Sequence, residues 1–345
     1  MLVGAFRQLW RWTKRKVANP GIILLYHSIA VRHSDPWSLS ISADHFAEHL
    51  SVLRKVGQPI SLQRYLELSR WGRVPSRPII VTFDDGYANN LFEAKPLLSH
   101  HDVPATVFVM AGAVNQSGEF WWDELDRLLL DSPVLPDELI MCVGRTEHRW
   151  KLGKSGHDEG KTSQQDRRWR AWDTHAIDPR QALYRALYDL LSPLANSERE
   201  EALEYLVAWA GANRLGRPSY RTLSGEQLVR LTEGPLIEVG AHSVTHPSLA
   251  TLSPIEQQQE IRNSKAILEG ILNAPVRSFA YPFGRRQDYS RVTAALVREA
   301  GFTCACTSGA RYVGRLTDRF ELPRYTVPSV DGEQFSRWLT EISCA

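Results

Sequence analysis

Cysteine is scarce in this chain: four in 345 residues, at Cys142, Cys304, Cys306 and Cys344. None lies in a CxxC or zinc-finger spacing, which excludes a cysteine-ligated metal knuckle and a thioredoxin-type redox pair. Small oxidised scaffolds are much denser in cysteine, so the count argues against a disulfide framework and fits a reducing compartment. Cys304 and Cys306 alternate on an expected strand and read as small buried hydrophobes. Long apolar runs are lacking too. Residues 22–25 are uninterrupted Ile-Ile-Leu-Leu, a strand and not a membrane span. Charge of one sign does not dominate: 41 Lys and Arg face 39 Asp and Glu, a net charge of +2. Nothing in that balance calls for nucleic acid or an acidic polymer as partner. No internal repeat is visible.

The N-terminus lacks the apolar core of a signal peptide. Arg7, Arg11, Lys14, Arg15 and Lys16 are spread among Leu2, Phe6, Leu9, Trp10 and Trp12. A cytoplasmic protein is therefore expected. Residues 6–17 read first as a solvated helix packing its Trp and Leu on the domain. The second reading is an amphipathic basic helix making peripheral contact with a membrane surface.

What is present is a soluble globular composition, 43% hydrophobic and 23% charged, with length for one large domain or two small ones. Eleven Trp is a high count and mildly favours a carbohydrate ligand. Short apolar runs recur: Gly21-Ile-Ile-Leu-Leu-Tyr26, Pro78-Ile-Ile-Val-Thr-Phe83, Ala105-Thr-Val-Phe-Val-Met110, then 237–240, 276–281 and 302–306. Runs apolar on both faces suit parallel strands covered by helices. Helical patterns lie between them, opening at Ser42 and at Ser253-Pro254, and running over 291–299 to Gly301. This alternation predicts an α/β fold, a barrel. Residues 120–215 break the pattern with a hairpin near 138–152, a polar stretch at 153–166 expected to be disordered, and helices near 181–191 and 198–208. We expect a barrel domain from 1–119 and 216–345, carrying 120–215 as a mainly helical insertion.

The second apolar run ends in Thr82-Phe83-Asp84-Asp85-Gly86-Tyr87. Two carboxylates after a buried strand are costly to desolvate without a reason. In parallel α/β folds the strand C-termini form the active-site face. A helix N-cap is the competing explanation of the pair. The fourth run is followed by Ala241-His242-Ser243-Val244-Thr245-His246-Pro247. Two His four apart share a face in a helical turn and can hold one ion. Two imidazoles and one carboxylate leave coordination positions open, as catalysis requires.

Thr-Phe-Asp-Asp-Gly followed by His-Ser-x-x-His-Pro resembles the polysaccharide deacetylase family. Phe279-Ala-Tyr-Pro-Phe-Gly284, residues 40–57, Pro104-Ala-Thr-x-Phe108 and Leu322-Pro-Arg324 extend the resemblance over most of the chain outside the insertion. It implies a distorted (β/α) barrel of about seven parallel strands, the NodB-like fold. It implies Asp84 as general base, and Asp85, His242 and His246 as ligands of a divalent metal, usually zinc and sometimes cobalt or nickel. It places an oxyanion-binding backbone N–H at or just after Tyr281. Two departures stand out. The better-known branch has a late His that protonates the leaving group, whereas no His follows His246 here. Ala280 also stands where that branch has an Arg orienting the catalytic Asp. His27, closing the first strand, is the candidate acid or supporting partner, and Arg324 the candidate replacement for the Arg. Trp121 and Trp122, beside acids at the start of the insertion, are candidate sugar platforms unless they anchor the insertion to the barrel. Tyr87, Tyr281 and Phe283 complete the expected substrate contacts.

The expected activity is removal of an N-acetyl group from an amino sugar during surface-polysaccharide or glycan-precursor synthesis, as in the exopolysaccharide and O-antigen branch. The substrate would be a saccharide or a lipid- or nucleotide-linked precursor. Deformylation or O-deacetylation at the same site is the second reading. A sugar-binding protein with a degenerate site is the third.

Overall fold

The computed structural model describes residues 20–116, 118–153, 169–173 and 178–344. The N-terminal basic segment and nearly all of the polar stretch at 153–166 lie outside the described residues, and with them the helix and the disorder expected there.

Seven parallel strands form the central sheet: β1 (Ile22–Tyr26), β2 (Pro78–Phe83), β3 (Ala105–Val109), β4 (Ile237–Ala241), β5 (Ser278–Ala280), β6 (Cys304–Cys306) and β7 (Tyr325–Thr326). Their spatial order is β6-β5-β4-β3-β2-β1-β7. Every side chain of β1, β2 and β3 is buried, which explains why these runs are apolar throughout instead of alternating. The sheet curls until its two edges meet one segment: Leu322 bridges Cys306, and Tyr325, three residues on, pairs with Leu24 of β1. Arg324 is therefore held where the barrel closes.

Helices pack outside. Ser42 caps Ala43–Val56 by accepting from the His45 amide. Ser253 and Glu256 form a capping box on Pro254–Leu272, with Pro254 in the first turn, where it gives up no helical hydrogen bond. Arg291–Glu299 covers β6 and ends at Gly301, whose φ is +83.

The expected hairpin is present as Glu138–Val143 paired antiparallel with Thr146–Lys151. It packs with the helices Trp121–Leu129, Pro179–Leu191 and Asn196–Trp209 around a second core of Leu125, Leu183, Leu187, Leu203 and Leu206. That core touches the barrel through Tyr87 and Met110, at the C-terminal ends of β2 and β3. No helix among the described residues is long and apolar enough to cross a membrane.

Candidate active site

β2 runs buried to Phe83 and then turns sharply. Asp85 and Gly86 both adopt positive φ, 73° and 91°. The Gly86 position admits no side chain cheaply, since a Cβ there would lie 3.0 Å from Val109. The two acids are pinned on either side: the Asp84 amide donates to the Tyr26 carbonyl at 3.0 Å, and the Met110 amide to the Asp85 carbonyl at 3.0 Å. Four of the nine non-glycine residues with positive φ among the described residues are Asp85, Ser243, His246 and Phe283. Strain of this kind, about 1–3 kcal/mol each, persists where the surroundings over-determine it, as at functional sites.

Asp84 is gripped by Arg324. The guanidinium donates from Nη1 to Oδ1 and from Nη2 to Oδ2, both at 2.6 Å. Arg324 is itself fixed by the Thr307 carbonyl at 2.9 Å and Thr82 Oγ1 at 3.3 Å. Burial alone would raise the Asp84 pKa, but Arg324, then His242 and His27, hold it below the usual carboxylate value. Asp84 is thus an ionised, oriented carboxylate with Arg324 as its hydrogen-bonded partner.

Asp85 turns the other way. Its Oδ1 lies 3.6 Å from His242 Nε2 and 3.7 Å from His246 Nε2. The three buried side chains each offer a ligand atom, all within 4.8 Å of one another, and form the one such grouping among the described residues. These contacts are not ion pairs. Burial lowers the pKa of both histidines, so each presents a neutral imidazole. Burial, with Asp84 and Asp123 nearby, pushes Asp85 well up, so a cation held between it and the two histidines would favour its charged form. His242 Nδ1 lies 2.8 Å from the Ala280 carbonyl, which sets the tautomer and leaves Nε2 as the ligand atom. Two imidazole nitrogens and a carboxylate oxygen fit a divalent metal.

The histidines do not meet through a helical turn, as their spacing predicted. The 242–247 stretch is a loop, bent by positive φ at Ser243 and His246. Glu260, on the helix Pro254–Leu272, clamps it by accepting from the Val244 and Thr245 amides and from Thr245 Oγ1, at 2.8–2.9 Å. Ser243 Oγ accepts from the His246 amide at 3.0 Å. Glu260 was not identifiable from sequence, because nothing marks it among the polar residues of its helix.

His27 follows β1 and lies within electrostatic reach of Asp84, Arg324 and His242. Desolvation pushes its pKa down to about 4, with Asp84 opposing. The aromatic residues separate into groups. Trp122 and Phe283 flank His246, with ring centroids 4.9 and 4.7 Å away. Trp121 is buried in the second core against Tyr188, with Arg199 over its ring. Tyr87 is fully buried, accepts from Trp122 Nε1 at 3.0 Å and donates to Asp123 at 2.7 Å, while Arg32 pairs with Asp123 at 2.9 Å. Tyr281 is also buried, its hydroxyl bonded to the Phe320 carbonyl. The oxyanion-binding N–H is expected at or just after Tyr281. The Tyr281 amide is spent on the Cys306 carbonyl at 3.1 Å, and Pro282 has no N–H.

Three convergent side chains able to hold a metal, beside a separate, guanidinium-held carboxylate, have the make-up of a hydrolytic site. The family model for polysaccharide deacetylases matches residues 72–140 and 200–305, and the chain belongs to that family. YxkH of Bacillus subtilis (strain 168), itself named for polysaccharide deacetylases, is 29% identical over 121 residues, 34% of this chain and 41% of that protein. The poly-beta-1,6-N-acetyl-D-glucosamine N-deacetylase of Escherichia coli (strain K12) is 28% identical over 89 residues, 25% of this chain and 13% of that protein. This chain therefore matches less than half the length of either curated relative. The solved structure of IcaB from Ammonifex degensii superposes with a TM-score of 0.55 at 20% identity, covering 92% of this chain and 96% of that one, which establishes the shared fold.

Proposed function

We infer that the protein removes an N-acetyl group from an amino sugar in a polysaccharide or its precursor. The observation that carries this reading is the division of labour between adjacent acids: Asp85 faces the two histidines, while Asp84 is held ionised by Arg324. Membership of the deacetylase family and the amino-sugar substrate in the name of the Escherichia coli relative support the substrate class.

Asp85, His242 and His246 would hold the metal, which supplies Lewis-acid polarisation of the acyl carbonyl and a more acidic water. Asp84 takes a proton from the attacking water, and the oxygen adds to the carbonyl carbon. The carbon–nitrogen bond then breaks, acetate departs and the sugar nitrogen must gain a proton. His27 is the proposed donor. With its pKa near 4 it enters the reaction neutral, so the proton it hands over must be one released earlier in the same turnover, from the water by way of Asp84. Trp122 and Phe283 wall the His246 side and suit a small acyl methyl. Residues 120–215, read as an insertion, place Trp122 there.

The test is acetate release from soluble N-acetylglucosamine oligomers by zinc-loaded and chelator-treated protein. Zinc-dependent acetate, lost in Asp84→Asn, is the expected result. Formate from formylated sugars, or acetate only from O-acetyl esters, would move the reading to deformylation or O-deacetylation. Stoichiometric zinc with no turnover on any of these would leave a sugar-binding protein.

A further inference from the structure

The end of the barrel opposite the metal ligands carries a second charged feature. A groove of about 620 Å³ is lined by Arg70, Arg277, Arg315 and Arg319, with Glu67 the one acidic residue along it. All four arginines are exposed. Glu67 is paired with Arg64 at 3.1 Å, and Arg277 partly answers the half-buried Glu238. In a chain with 41 basic and 39 acidic side chains, this is a local segregation of charge.

Its position follows from the topology. Arg277 and Thr303, both lining the groove, immediately precede β5 and β6. Val313, also lining it, pairs with Gly21, immediately before β1. In a parallel sheet these are all strand starts, whereas Asp84, His242 and His27 follow strand ends. Five-residue strands separate the two ends by roughly 17 Å.

Two large apolar side chains stand on the rim. Trp71, next to Arg70, is 77% exposed, and Leu316, between Arg315 and Thr317, is 99% exposed. Arginines for phosphate, with a Trp and a Leu projecting beside them, are the components of a surface that lies on an anionic bilayer. A free phosphate ligand would explain the arginines but not the exposed Trp and Leu. The sequence adds a second basic stretch. Residues 1–19 hold five basic and no acidic side chains, and Gly21, two residues on, pairs with Val313 of this groove.

We propose that this strand-start face docks on the anionic phospholipid surface of a membrane, with Arg70, Arg277, Arg315 and Arg319 taking lipid phosphates and Trp71 and Leu316 entering the interface. The active-site mouth then faces away from the bilayer. The proposal is independent of the reaction catalysed.

The test is co-sedimentation of the full chain with phosphatidylcholine vesicles, with and without phosphatidylglycerol. Binding to the anionic vesicles only, weakened by salt, is expected. Arg315→Glu with Arg319→Glu should weaken it roughly tenfold or more, and Trp71→Ser with Leu316→Ser should remove the part that survives high salt. A third variant, Lys14→Gln with Arg15→Gln and Lys16→Gln, separates the N-terminal segment from the groove. Equal binding to both vesicle types overturns the proposal. So does wild-type binding by the Arg315, Arg319 variant, which would leave docking to the N-terminal segment. Displacement by inorganic phosphate at the lipid phosphate concentration, or tighter binding to a single-stranded DNA oligomer, would reassign the groove to a soluble anion or a nucleic acid.

Discussion

The two ends of the barrel treat charge in opposite ways. At the strand C-termini two buried carboxylates are answered by cations: Asp84 by a bidentate Arg324, and Asp123 by Arg32, with Tyr87 donating to it as well. At the strand N-termini four arginines face solvent around a groove with one acid. Buried charge is tolerated only with well-placed partners, and such partners fix geometry. Exposed charge stays hydrated and rearranges freely, which suits a diffuse surface and not a single reacting atom. The comparison assigns chemistry to one end and attachment to the other, and each assignment can be broken separately.

The largest effects belong to the acid pair. Asp84→Asn should lower turnover by about 10²–10⁴, the range for loss of a general base, while zinc content measured by elemental analysis stays stoichiometric. Asp85→Ala should lose both zinc and turnover. If Asp84→Asn also lost the metal, the division of labour between the two acids would be wrong. Arg324→Met comes next. It strands a buried carboxylate, so chemical denaturation should show a loss of about 3–5 kcal/mol. Because the Asp84 pKa is depressed in the fold, its stabilising contribution is present above the ordinary carboxylate pKa and is lost as pH falls through the folded value. Removing Arg324 should therefore shift the acid limb of the pH–rate profile upward. Arg324→Lys keeps the charge but not the fork and should fall between wild type and Arg324→Met.

Much of the chemical end was legible in the sequence, for unequal reasons. Asp84, Asp85, His242 and His246 stand in two short motifs, each directly after an apolar strand, so local pattern was enough. The four-residue spacing of His242 and His246 suggests a helical turn, but a loop brings the two together, because positive φ at Ser243 and His246 has no sequence signature comparable to glycine. Arg324 was reachable only by noticing that Ala280 had replaced an expected Arg; it meets Asp84 across 240 residues of chain, and closure of a barrel is not a local property. Trp121 and Trp122 could not be separated by reading, since adjacent helical residues point about 100° apart and only packing decides which one faces the ligands. The arginine groove was illegible because Arg70, Arg277, Arg315 and Arg319 share no motif and are gathered only by the common direction of parallel strands.

A smaller effect tests His27. Desolvation lowers its pKa to about 4, so as a neutral, partly buried group it contributes stability that is present above the unfolded value of about 6.5 and is lost as pH falls toward 4. Wild-type stability, followed by urea denaturation, should drop across that window by up to about 3 kcal/mol from this residue, and His27→Gln should flatten the slope. The same variant should lower turnover on amide substrates, where the leaving amine needs a proton, more than on activated esters, whose leaving groups do not. Equal loss on both would reduce His27 to a packing role.

The smallest expected effect sharpens the contrast between the ends. Arg315→Glu with Arg319→Glu changes two exposed side chains roughly one strand length from the ligands, on a face with no contact to them. Substitutions at such positions usually change stability by within about 0.5 kcal/mol, and effects at separated sites add. Turnover on a short soluble oligomer should therefore match wild type, and so should zinc content, while vesicle binding falls. A matched fall in kcat on the soluble oligomer would mean that the two ends are coupled through the strands, and the separation of attachment from chemistry would fail.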